Sequence, residues 1–83
     1  MSVVVYSTDF CGYCDRAKAL LALRKIPFDE VLLSRSEEGL ARLAAVAPRG
    51  RTFPQIVIHG RPIGGYAELA ALDRGDELTR LVG

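Results

Sequence analysis

The chain predicts an α/β fold, with elements in the order β-α-β-α-β-β-α, a short extra C-terminal helix and a four-stranded mixed sheet. Three observations carry that prediction. An apolar, β-branched run, Val3-Val4-Val5-Tyr6, is followed by strong helix formers from Asp15 to Leu23. A second extended run, Phe28-Asp29-Glu30-Val31-Leu32-Leu33, is again followed by apolar residues at helical intervals. Finally, Gln55-Ile56-Val57-Ile58 and Pro62-Ile63-Gly64 flank a His59-Gly60 turn with hairpin spacing. Crossover helices imply parallel strands in the first half, and the hairpin adds an antiparallel edge.

Taken in order, residues 2–7 read as the first strand and 12–25 as the first helix. On that helix Tyr13, Ala17, Leu20 and Leu21 cluster on one side, and Asp15, Lys18, Ala22 and Lys25 on another. Pro27 ends it, and residues 28–33 supply the second strand. Ser34-x-x-Glu37 has capping-box spacing ahead of Leu40, Leu43, Ala44 and Ala47, and Pro48 and Gly50 stop that helix. Gly64-Gly65 opens a third helix over Tyr66–Arg74. Gly75 breaks it, and Asp76 caps a last short helix containing Leu78, Leu81 and Val82. There is no linker, internal repeat or low-complexity tract, so residues 1–83 read as a single domain.

The bulk properties exclude several classes. With 83 residues, 49% of them hydrophobic and 25% charged, the composition is that of an ordinary small globular protein. A net charge of +1 argues against nucleic acid or an acidic membrane surface as the main partner. No apolar run approaches the roughly 20 residues needed to span a bilayer, and no signal peptide is visible. A cytoplasmic location is the expectation, and there a cysteine pair is more often catalytic or metal-binding than structural.

The two cysteines stand in Cys11-Gly12-Tyr13-Cys14, at a strand-to-helix turn. A disulfide across two intervening residues closes too small a loop to remove much unfolded-state entropy, so a structural staple is a poor reading. Structural zinc needs four protein ligands, and two thiols with His59, the one histidine, do not supply them. A redox dithiol fits. The first sulfur falls near a helix N-terminus, where free N–H groups and the dipole favour the nucleophilic thiolate. Three residues on, Cys14 lies on nearly the same helix face, within disulfide reach. Gly64-Gly65 either ends a strand in a sharp turn or lets the backbone approach a ligand, with the next helix offering N–H groups to a carboxylate. Asp9 is placed to tether the turn before Cys11 or to cap the helix, and His59 reads as a solvent-exposed turn residue.

Three separated motifs give the chain a resemblance. They are Cys11-Gly12-Tyr13-Cys14 with Arg16-Ala17-Lys18, Thr52-Phe53-Pro54-Gln55-Ile56, and Ile63-Gly64-Gly65-Tyr66-Ala67-Glu68-Leu69. In this order and at these separations the chain resembles, end to end, a small dithiol glutaredoxin. The resemblance implies a thioredoxin-like fold and glutathione-dependent reduction of protein disulfides and of mixed disulfides between proteins and glutathione. It makes Cys11 the attacking thiol and Cys14 the resolving one. Pro54 aligns with a cis-proline that exposes the backbone of Phe53 for strand-like pairing with the cysteine of glutathione. The γ-glutamyl end is placed at Gly65, Tyr66 and Ala67. Tyr13 shields the sulfurs and contacts the bound peptide, and Arg51 and Thr52 complete the substrate-binding set.

The sequence departs from the family at four places. Gly12 replaces the usual proline after the first cysteine, and Thr8 stands where many members carry a lysine. Ala67 replaces an aspartate that holds the glutamyl group, and Phe53 replaces a more usual valine. Arg16, Lys18, Arg49 and Arg51 are candidates to compensate for the missing lysine and aspartate. The implied partners are glutathione and disulfide-bearing or glutathionylated proteins, with the protein a monomer. Two alternatives come with the resemblance. One is a [2Fe–2S] cluster held between two chains by each first cysteine and two glutathione thiols, which Gly12 suits and Cys14 does not. The other is a glutaredoxin-like redoxin that takes electrons from thioredoxin reductase.

Overall fold

A computed structural model describes residues 3–83, so the predicted start of the first strand at residue 2 lies outside the described residues. The chain forms β1 (Val3–Ser7), α1 (Gly12–Leu23), β2 (Asp29–Leu32), α2 (Glu37–Val46), β3 (Gln55–Ile58), β4 (Arg61–Gly64), α3 (Tyr66–Arg74) and α4 (Leu78–Val82). The element order is the predicted one. The sheet runs β2-β1-β3-β4. β1 pairs parallel with β2, Val4 facing Asp29 and Ser7 facing Leu32, and antiparallel with β3, Val3 facing Ile58 and Tyr6 facing Gln55. The sheet is therefore mixed, with β2 and β4 at its edges.

Burial follows the pleat. Val3, Val5 and Ser7 of β1 are fully buried, while Val4 and Tyr6 between them are partly exposed. Val3, Val5, Ile56 and Ile58 meet Ala17 and Leu21 of α1, Leu69 of α3 and Leu78 of α4 in one apolar cluster. Val57 alternates to the other sheet face, and Leu43 of α2 and Ala47, its C-cap, are buried apart from that cluster. The His59-Gly60 turn has positive φ at both residues, 51° and 79°, as a two-residue turn matched to strand twist requires. His59 is exposed there, and its Nε2 lies 3.2 Å from the Val82 carbonyl. A bulge at Ile56/Val57 shifts the β3–β4 register just before the chain leaves for α3. Among the described residues no helix is long and apolar enough to cross a membrane.

Three helix boundaries differ from expectation. α1 stops at Leu23 rather than at residue 25. Lys25 turns left-handed at φ 59°, its N–H donates to the Ala22 carbonyl and that of Ile26 to the Leu21 carbonyl. This 6→1, 5→2 pair is a Schellman closure, and Ile26 is buried beyond it. The same closure ends α3, where Asp76 carries φ 58° and Glu77 donates to the Leu72 carbonyl. Asp76 thus terminates α3 instead of capping α4, and Gly75 keeps an ordinary φ of −90°. α2 is capped by Ser36, whose Oγ accepts from the Gly39 N–H at 3.3 Å. The Ser34 carbonyl folds back to within 1.9 Å of where a side chain on residue 39 would begin. Glycine at that position draws the chain inward and moves the cap two residues beyond Ser34.

A polar network ties three elements together. Glu30 of β2 accepts from the Ser7 hydroxyl of β1 at 2.5 Å and from Lys18 Nζ of α1 at 2.8 Å. The Lys18 hydrogen bond, then that of Ser7, holds the Glu30 carboxyl below the ordinary value of 4.5. A carboxyl depressed in the folded state adds stability that is complete above the ordinary glutamate range and lost as pH falls through the lowered value. Wild type should therefore exceed Glu30→Gln at pH 7 by up to about 1 kcal/mol, a size set by its exposure. Urea midpoints of the two proteins should converge once the pH is well below that range. A second substitution should act in the opposite sense. Lys25→Gly removes the Cβ penalty at a left-handed position and should raise stability by about 0.5–1 kcal/mol in denaturant unfolding.

Candidate active site

β1 ends at Ser7 and α1 begins at Gly12, so residues 8–11 make the whole turn that carries the first cysteine. Cys11 is itself the N-cap of α1. Its backbone is extended, at φ −124° and ψ 102°, and its Sγ accepts from the Cys14 N–H at 3.1 Å. The expected alternative of an Asp9 cap is not realised. Asp9 is exposed, and its carbonyl accepts from Arg35 at 2.8 Å. Cys11 and Cys14 are joined as a disulfide with their Cα atoms 5.2 Å apart. Cys11 is partly exposed and Cys14 only 1% exposed, so an incoming disulfide can reach the first sulfur and not the second. In the reduced form the helix-terminal N–H groups and dipole would stabilise a thiolate on Cys11.

A second region lies where β3, β4 and α3 converge. The Phe53-Pro54 peptide bond is cis. The Thr52 carbonyl ahead of it accepts from Gln55 Nε2 at 2.8 Å, which braces the entry to β3. Gly64 adopts φ 126°, a conformation closed to other residues. A Cβ on Gly65 would stand 3.3 Å from the Pro54 carbonyl oxygen, so the two backbones pass unusually close. Glu68 reaches back, its Oε1 accepting from the Gly65 N–H at 2.8 Å. This is the carboxylate half of a capping box, and it fixes the start of α3. Beside these residues opens a groove of about 720 Å³, lined among others by Arg49, Arg51, Thr52, Ile63 and Gly65.

The structure brings some of the predicted residues together. Arg51, Thr52 and Gly65 share the groove, with Arg49 alongside. Tyr13 of α1 and Tyr66 of α3 approach with ring centroids 6.0 Å apart, which joins the cysteine helix to the start of α3. Pro54 is buried behind Gly65. The two sulfurs, Phe53 and Ala67 do not line the groove. Of the cations offered as compensation, Lys18 is committed to Glu30 and, at 3.7 Å, to Asp15. Arg16 lies over the Tyr13 ring at 5.1 Å. That leaves Arg49 and Arg51 facing the groove. Thr8, where the resemblance leads one to expect a lysine, is 6% exposed and inside the fold.

Sequence reasoning did not single out Arg35, Gln55 or Glu68. Gly65-x-x-Glu68 does carry capping-box spacing and was open to detection. Arg35 reaches the cysteine turn across 26 residues of sequence, and no local pattern announces it. As for a cluster, four thiolates are the usual requirement. The two-chain arrangement takes one from each copy and two from glutathione, and within this chain no group of three or more His, Cys, Asp or Glu side chains converges among the described residues.

A family model described as Glutaredoxin matches residues 3–63. A glutaredoxin of Pseudomonas aeruginosa is 40% identical over 80 residues, spanning 96% of this chain and 94% of that protein. The solution structure of glutaredoxin from Brucella melitensis matches with a TM-score of 0.83 and 38% identity, over 99% of this chain and 88% of that one. The crystal structure of a buckwheat glutaredoxin–glutathione complex matches with a TM-score of 0.84 and 28% identity, over 98% of this chain and 76% of that one. With a thioredoxin-like fold and a cysteine pair poised at the head of its first helix, the chain belongs to the glutaredoxin family and carries that family's thiol–disulfide oxidoreductase role.

Proposed function

We propose that this protein is a glutathione-dependent oxidoreductase that reduces protein disulfides and protein–glutathione mixed disulfides by way of Cys11. The observation that carries the reading is the division between the two sulfurs, one partly exposed at the N-cap of α1 and the other buried beneath it. The Cys11 thiolate attacks the glutathionyl sulfur of a mixed disulfide, forming a Cys11–glutathione bond as the protein thiolate leaves. A second glutathione then attacks that bond, releasing oxidised glutathione and restoring the Cys11 thiolate. With a protein disulfide the intermediate is instead a protein–Cys11 disulfide. Cys14 attacks it, leaving a reduced protein and the Cys11–Cys14 disulfide, which two glutathione molecules reduce.

The groove supports glutathione as the donor. Glutathione carries two carboxylates. The groove offers Arg49 and Arg51 with a Gly64-Gly65 turn, and α3 begins beside it with N–H groups at Tyr66 and Ala67. The backbone of Phe53, ahead of the cis bond, supplies the strand-like edge for the peptide. The similarity to a glutaredoxin in complex with glutathione supports the same ligand here. We assign the protein to the cytoplasm, as a monomer with one domain over residues 1–83, where a glutathione pool keeps thiols reduced.

Turnover of the mixed disulfide of glutathione and 2-mercaptoethanol, coupled through glutathione reductase to NADPH oxidation, tests the reading. Cys11→Ser should fall to background, while Cys14→Ser should keep turning over because the second glutathione does the resolving. A wild type inactive with glutathione but reduced by thioredoxin reductase would overturn the donor assignment. In the same assay Arg51→Ala should raise KM for the mixed disulfide about two- to fivefold with little change in kcat, the size of an exposed charge contact. An unchanged KM would remove Arg51 from the binding set.

A further inference from the structure

Phe10, the residue immediately before Cys11, is fully exposed, at 100% of its possible surface. Its backbone is left-handed, with φ 53°. For a bulky aromatic residue this is a true outlier, since its Cβ crowds the following carbonyl. Exposure alone would be unremarkable in a turn. Together they describe an apolar side chain held away from the protein by a backbone conformation that resists it. Strain of this kind persists only where the surroundings impose it, and it gathers at functional sites.

The surroundings here are identifiable. Arg35, from the segment between β2 and α2, spreads its guanidinium across the turn. Nη1 donates to the Asp9 carbonyl at 2.8 Å and Nη2 to the Phe10 carbonyl at 3.4 Å. Two successive carbonyls are thus oriented by one planar donor. The clamp comes from the β2 side of the sheet, whereas Pro54, Gly65 and the groove belong to β3, β4 and α3 on the other side of β1. Tyr13, the other exposed aromatic residue beside Cys11, leans toward Tyr66 and so toward the groove flank. Phe10 instead sits on the turn that Arg35 clamps from the β2 side.

We propose that Phe10, held outward by Arg35, is the recognition element for the polypeptide half of the mixed disulfide, and that it selects substrates bearing an apolar side chain next to the modified cysteine. The inference rests on the glutathione-dependent reading above. A mixed disulfide has two halves. The glutathionyl half is the same in every substrate and takes the groove flank. The departing polypeptide differs from one substrate to the next, and on this proposal it leaves past Phe10, the fully exposed apolar residue adjacent to Cys11 in the chain. A rigid aromatic residue with few rotatable bonds gives large contact area at low entropy cost, as in the energetic centres of many interfaces. Phe10 is the recognition residue, and Arg35 is a positioning residue that acts through it.

The test compares two synthetic peptides that each carry one glutathionylated cysteine, flanked by leucine in one and by serine in the other. The assay reads kcat/KM for each peptide, because that ratio reports the step in which the peptide leaves. The glutathione–2-mercaptoethanol disulfide is run alongside. Wild type should prefer the leucine-flanked peptide about three- to tenfold. Phe10→Asn, which suits a left-handed backbone, should bring the preference to unity and leave the 2-mercaptoethanol disulfide unchanged. Arg35→Gln should lose most of the preference with the same unchanged small-substrate rate, which a general loss of fold would not spare. Equal rates on both peptides in wild type, or a preference that survives Phe10→Asn, would overturn the proposal while the glutathione reading stands. A wild type inactive on the 2-mercaptoethanol disulfide as well would overturn both.

Discussion

The placement of Cys11 depends on one junction, the four-residue turn between β1 and α1. β1 cannot shift, because it is paired on both sides and because Val3, Val5 and Ser7 are fully buried. A slip of one residue would turn that buried set to the opposite face. α1 cannot shift either, because Ala17 and Leu21 are fully buried against β1 and β3. The small side chain of Ala17, three residues beyond Cys14, lets the helix lie close to the sheet. Both ends of the turn are therefore fixed by the core, and the sulfur's position at the head of the helix is a consequence of packing. The N-cap is usually filled by an oxygen-bearing side chain. Here a sulfur takes the role, so the group that satisfies the helix is also the one the proposed reaction uses.

The groove flank is built on a different principle. Its recognition surface is mostly backbone: a glycine at φ 126°, a second glycine pressed against the Pro54 carbonyl, and the first turn of α3. Two positions where the family resemblance leads one to expect charge are here apolar or buried. Ala67 has no carboxylate, and Thr8 is enclosed by the fold. The positive charge facing the groove comes from Arg49 and Arg51, ahead of β3. On the proposed reading this chain keeps the backbone half of glutathione recognition and moves the side-chain half to a neighbouring loop.

Most of the fold was legible because it rests on local periodicity. The β-branched runs, the helical spacing of Leu40, Leu43 and Ala47, and the His59-Gly60 turn each carry their own signal. What escaped was set by contacts remote in sequence or by conformations that residue type disfavours. Lysine is not a usual residue for a left-handed helix closure, so the end of α1 gave no warning; α3 stops at Arg74 as expected, and only the left-handed turn at Asp76 was missed. Capping-box spacing pointed to Ser34, and only the approach of the Ser34 carbonyl to Gly39 moves the cap to Ser36. The same division holds at the site. Cys11, Cys14 and the Gly64-Gly65 turn are sequence motifs. The commitment of Lys18 to Glu30 depends on β2 lying beside β1, and only the assembled sheet reveals it.

The two flanks of Cys11 also answer to different demands. A partner of constant chemistry can be met by backbone amides and glycines, which offer fixed hydrogen-bonding geometry and leave no side chain to obstruct the approach. A partner of variable sequence cannot be met that way, since its one constant feature near the reacting sulfur is a polypeptide with some side chain beside it. A lone exposed aromatic residue makes contact with many such neighbours without requiring any single one. The clamp from Arg35 suits that task, because it holds the carbonyls of the turn and leaves the ring free. A knob fixed at its base and unencumbered at its tip can favour apolar surroundings while the attack on sulfur proceeds beneath it. In this chain, selectivity among proteins and affinity for the small thiol would then reside on opposite sides of one atom, and each could change in evolution without disturbing the other.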